Sequence, residues 1–339
     1  MFLTDKYHAL LPVHSPAKDH RKAPAPSRFD VALAARLGSL LPLPASPLAA
    51  LARLADLLAA TLGDAVPALS AARNGDAAAV AAHLDAGVAL LDACNAIAAR
   101  VDRLRRRRLL TRLAVHLLSS STPSSPSSVQ RARATLADRD GRGAEASSPP
   151  LPLPSLPFVD TPRGGSGRQL TGAARVLLAV NAVSSLAAAA AASILGGGKL
   201  DSASFPLVVS GDLPWAEAFN ALSSQLNVLA TAKTSEVDAV DEAVGKLSSV
   251  LDSAGAATDD KNVGKLASVL DGEGAAADDE AALRAAAQEV ETRTEELAAR
   301  LDRLSDAVNG VFRAALRLRN AELDGLAVGP AEKTRSSKK

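Results

Sequence analysis

The chain has 339 residues, 38 of them basic and 37 acidic, and is 47% hydrophobic but only 2% aromatic. A net charge of +1 excludes a protein dominated by nucleic-acid binding, which carries a strong basic excess. The single cysteine, Cys94, excludes an intrachain disulfide and every standard zinc spacing.

Alanine and leucine carry the apolar content, and both enter helices at little entropic cost. Strand formers are scarce, and no run alternates with period two. The composition predicts an all-α fold: an elongated antiparallel helical bundle of long helices, with disordered Ser/Pro-rich linkers. Alanine buries little area per residue, so close packing of long rods has to make up for it.

Residues 1–26 are rich in proline, histidine and lysine and read as a disordered arm. They contain no continuous apolar run, so no secretory signal is expected. A helical part spans 27–118. Its first helix starts at Ser27, with Asp30 three residues on as an approximate capping box. "PLPASP" ends that helix, and Ser46 and Pro47 open the second, the proline at the position where its missing N–H costs nothing. A long helix follows over about 76–118, with Asp76 as its cap. Its apolar stripe steps through Leu84, Val88, Leu91, Cys94, Ala98, Val101 and Leu104.

Residues 119–168 form a Ser/Pro/Gly-rich linker, interrupted by a short helix near Val129–Asp138. The segment 169–325 reads as the C-terminal part of the same bundle. It opens on an uncharged stretch, 176–198, long enough to cross a membrane. Asn181, Ser184, Ser185 and Ser193 interrupt that stretch. It reads either as a membrane span or as a helix buried on all sides, stopped by Gly196–Gly198, and the interruptions favour the buried helix. "DLPWAEAF" then starts another helix, with Asp212 as cap and Pro214 and Trp215 in its first turn. "VGKLSSVLDSAGAATDD" at 244–260 is echoed nearly unchanged at 263–279, which reads as a duplication within a connection.

The last helix, about 278–324, carries Leu283, Val290, Leu297, Leu304, Val311 and Leu318 every seven residues. Ala287, Thr294, Leu301, Val308 and Ala315 form the second line of the seam. Such a seam packs within its own chain or, alternatively, joins two chains through 283–318 into a homo-oligomer. The tail 326–339 is basic and expected to be disordered.

Charge is local in this chain. Acid gathers over 236–296, and five of the six positions 103–108 are arginine. Successive helix residues lie about 100° apart, so Arg103, Arg105, Arg106, Arg107 and Arg108 surround the helix rather than line one face. As a site they would contact an anionic partner or lipid surface. As structure they would keep the helix hydrated and cover apolar neighbours with their stems.

No catalytic, cofactor-binding or metal residue is predicted. "GSGRQLTG" places Gly167 and Gly172 at phosphate-loop spacing, but Ala173 and Ala174 stand where a lysine and a hydroxyl are needed. His83 and His116 lie eleven or more helix residues from Cys94, about 16 Å or further, beyond hydrogen-bond reach. Cys94 reads as a small core residue.

The segment "LDAGVALLDACNAIAARVDRLRRRRLL" resembles the plant BYPASS family of helical proteins. "RFDVALAARLGSLLP" before it and "LPWAEAFNALSSQLN" after it support the resemblance, which covers roughly residues 28–325. The order of the motifs, rather than any one of them, carries it. The resemblance implies a non-enzymatic plant regulatory protein, tied to root and shoot development through restraint of a mobile root-derived signal. It defines no functional residues to carry over. The expected location is the cytoplasm, with association to the endoplasmic reticulum or plasma membrane through 176–198 as an alternative; a plastid is less supported. The second functional reading is a membrane-associated coiled-coil scaffold that self-associates.

Overall fold

The computed structural model describes residues 27–71, 77–119, 126–139, 172–195, 207–209, 213–232, 235–260 and 272–327. The expectations for the arm, the tail, Asp76, Gly167, Gly196–Gly198 and Asp212 fall outside them. Eight helices and no strand occur among the described residues: α1 Arg28–Ser39, α2 Pro47–Ala71, α3 Ala77–Ser119, α4 Pro126–Arg139, α5 Gly172–Leu195, α6 Ala216–Thr231, α7 Glu236–Asp260 and α8 Gly272–Ala327. The fold is all-α, as the composition predicts.

The predicted starts of the first two helices hold at atomic detail. Ser27 Oγ accepts from Asp30 N at 3.1 Å, and Asp30 Oδ2 accepts from Ser27 N at 3.2 Å, a reciprocal capping box. Pro47 is the first residue of α2, and Ser46 Oγ accepts from Ala49 N at 3.2 Å. At α6 the chain differs from expectation. Trp215 is the N-cap rather than a first-turn residue, and its side chain makes no capping bond. It is wholly buried instead, edge-on to Phe219 with ring centroids 5.8 Å apart.

α8 has 56 residues, a rod of about 84 Å at 1.5 Å rise per residue. Together with α3 it forms an antiparallel spine: Arg105 meets Asp302, while Arg108 and Arg112, further along α3, meet Glu295, further back along α8. Two tiers of helices complete the spine. In the first, α2 and α5 join the early part of α3 and the late part of α8, and α1 and α6 cover them. α3 and α5 run one way there, α2 and α8 the other: Asp56 pairs with Arg303, and Ala59 approaches Gly310. In the second tier, α4 and α7 flank the late part of α3 and the early part of α8. α7 runs against α8, with Glu236 by Arg300 and Lys246 by Glu289. α4 runs against α7, with Arg139 by Asp241 and Arg133 by Asp252.

The seam of α8 is covered within the chain. Val290, Leu297, Leu301, Leu304, Val311 and Leu318 are all buried, and α2, α3 and α7 pack on α8. On α3 the buried face is rotated from the expected stripe. It runs through Leu90, Cys94, Ile97, Val101 and Leu104, and Val88 is exposed. The cause is that α3 touches α8, α4 and α5 rather than one partner, so its buried arc is wider than a single seam.

α5 is covered on all sides. Of its described side chains only Gly172 is exposed, and α2, α3 and α6 pack around it. It is long and apolar enough to cross a membrane, yet most of it is buried inside the molecule. The first repeat copy, 244–260, expected as part of a connection, lies within helix α7. Val240, Val244, Leu247 and Leu251 face its neighbours, so the first repeat copy is the second half of a core helix. The short helix expected near Val129–Asp138 is α4, a partner of α3 and α7.

Candidate contact surface at the arginine belt

The five arginines at 103–108 sit at mid-spine, where α3 leaves the first tier and enters the second. Three of them reach into neighbouring helices. Arg105 donates to Asp302 at 2.7 Å, to Asp102 at 3.2 Å and to Ser305 Oγ at 3.4 Å. The bond to Asp302 is the chief cause that holds the Arg105 guanidinium above its ordinary range. Arg107 donates to Asp241 of α7 at 3.3 Å, and Arg139 of α4 meets the same carboxylate. Arg108 and Arg112, one helical turn apart, share Glu295 of α8, at 3.4 and 3.1 Å.

The two oppositely charged stretches of the sequence are thus complementary within the fold. The basic stretch of α3 lies against acidic residues contributed by α7 and α8. An exposed ion pair contributes little, about 0–1 kcal/mol. The more buried ones act in lower dielectric and hold relative positions: the side chains of Arg108 and Arg139 are 18% and 4% exposed. The predicted belt around the helix is seen as such, because arginines pointing three ways meet carboxylates on separate helices.

Arg106 stands apart. It is exposed and has no ion pair or hydrogen-bond partner among the described residues. Arg103 is half-buried, and its buried Nε has no hydrogen-bond partner among the described residues. Neither residue was distinguishable from its neighbours in the sequence.

Towards its C-terminus α3 borders a groove of about 430 Å³. Leu109, Leu113 and His116 line it from α3, and Glu291, Thr294 and Glu295 from α8. Leu109 and Leu113 are 60% and 47% exposed, the only exposed large apolar pair one turn apart among the described residues. Sequence reading missed this groove, because a leucine pair beside arginines looks the same whether it faces a neighbour or water.

Cys94 is buried, and burial pushes its thiol up to about 12, so it stays protonated and a poor nucleophile near neutral pH. Among the described residues no group of three His, Cys, Asp or Glu is placed to hold a metal ion. Asp30 is almost wholly buried and pairs with Arg175 at 2.9 Å, which ties α1 to α5.

No protein-family model, curated protein or solved structure matches this chain. The class it belongs to is therefore the one its fold defines: an all-α protein of two helical tiers on a shared antiparallel spine.

Proposed function

We propose that this chain is a non-enzymatic regulatory protein of the BYPASS type that acts through contacts made on its helix surfaces. By the resemblance, it restrains a mobile root-derived signal in plant root and shoot development. The carrying observation is Arg106: amid arginines held by internal carboxylates, it is exposed and has no partner among the described residues. Arg106, with Arg103 beside it, is the part of the belt left to meet an anionic partner or lipid surface. Arg105, Arg107 and Arg108 serve mainly to fix the helix that presents it.

Co-sedimentation of the purified full chain with phosphatidylserine-containing vesicles tests this reading. Binding that weakens with salt and falls severalfold in Arg106→Ala supports it, since each basic residue near an anionic surface contributes about 1 kcal/mol. Binding indifferent to Arg106→Ala, or equal on neutral vesicles, removes the belt as the contact surface.

The second reading is a membrane-associated scaffold anchored by α5, favoured by the length and hydropathy of that helix. Resistance of the cellular protein to carbonate extraction supports it. Full release into the soluble fraction removes it.

A further inference from the structure

We propose that the Leu109–Leu113 ridge of α3 and the groove beside it form a two-fold interface between two copies of this chain. The proposal relocates the self-association reading from the α8 seam, which the chain's own helices cover, to a surface that is open.

Shape argues for it first. The ridge and the groove lie side by side on one face, with α3 and α8 as the two walls. A two-fold axis across that face seats each ridge in the groove of the other copy. This is the self-complementarity a symmetric dimer requires. Leu109 and Leu113 form the α3 wall of the groove, so the second copy covers ridge and groove together.

Charge argues for it independently. The α3 wall carries Arg112, and the α8 wall carries Glu291 and Glu295. Glu291 is exposed and has no ion pair among the described residues. The same two-fold axis sets the α3 wall of one copy against the α8 wall of the other, so that Arg112, held to Glu295 of its own chain on one side and 56% exposed, also meets Glu291 of the second copy. The pattern of both signs on one patch matches itself when rotated, and it mismatches a uniformly acidic or uniformly basic partner.

The contact is small. Two leucines and a groove fall short of the roughly 800 Å² per partner of a standard stable interface. The dimer is therefore of the weak class and dissociates on dilution.

Sedimentation velocity of the full chain over a dilution series from the millimolar to the micromolar range tests the proposal. The expected result is a monomer–dimer equilibrium that Leu113→Glu shifts at least tenfold towards monomer and that Glu291→Arg weakens by a similar factor, each substitution counting twice across the axis. Leu316→Glu, on an exposed position of α8 away from the groove, leaves it unchanged. Far-UV circular dichroism verifies that each variant remains folded. If Leu113→Glu is unfolded, Leu109→Glu, at a more exposed position, gives the same reading. A monomer at every concentration overturns the proposal, as does a dimer that both leucine variants leave intact. Either failure leaves the arginine-belt reading standing, because the vesicle experiment reads Arg106 and not this face.

Discussion

Glu322, near the end of α8, lines a small cavity of about 20 Å³ between α2, α3, α5 and α8, together with Arg319, Asn181 and Ser184. Desolvation pushes its carboxyl up to about 7 from an ordinary value of 4.5. The fold favours the protonated form, so this group's contribution to stability is complete below about pH 4.5 and is lost as pH rises through 7. Thermal unfolding of Glu322→Gln should lack that decline, its midpoint falling less than wild type between pH 4.5 and 7. Equal profiles would show that Glu322 is hydrated in the fold. The sequence could not flag this residue. An acidic side chain in "RNAELDG" reads as a solvated helix end, and only the convergence of four helices takes it out of water.

At the scale of elements, what was legible followed from local pattern. The capping box at Ser27, the Ser46–Pro47 start and the seven-residue seam of α8 each depend on residues a few positions apart, and each stands where expected. α7 carried an equally good signal, since Val237, Val240, Val244, Leu247 and Leu251 step by three and four. The duplicated motif overlapping it suggested a connection instead. The partners of the arginines were not legible. Asp241, Glu295 and Asp302 lie 134, 187 and 197 residues away from Arg107, Arg108 and Arg105, and only the topology of the bundle brings them together. One such long-range contact joins the two tiers. Glu236, the first residue of α7, accepts from Ser46 Oγ and from Leu48 N at the start of α2, and lies 3.6 Å from Arg300 of α8. A carboxylate at that place satisfies orphan N–H groups and complements the α2 dipole. Glu236→Ala should lower stability in urea unfolding by about 1–3 kcal/mol, the cost of leaving buried donors unmade. A loss within error would mean that the two tiers hold together without this cap.

At the scale of the whole molecule, the account depends on α8 serving as a shared internal wall. Its seam faces α2 and α3 in one tier and α3 and α7 in the other, so the heptad pattern reports an intrachain core rather than a second strand. An alanine-rich chain gains from this arrangement, because small side chains let long helices approach closely and bury area along their full length. One point of contact is Gly310, where a Cβ would lie 3.9 Å from that of Ala59. This is within the Cβ–Cβ range of a disulfide, about 3.5–4.5 Å. The decisive measurement is therefore oxidation of the Ala59→Cys, Gly310→Cys double variant at high dilution, read by non-reducing electrophoresis and peptide mass spectrometry. Cys94 stays silent, buried and protonated. The fold predicts rapid formation of one bond within a single chain, between positions 59 and 310. Failure to oxidise, or a bond between two chains, would mean that the α8 seam faces something other than α2 of its own molecule.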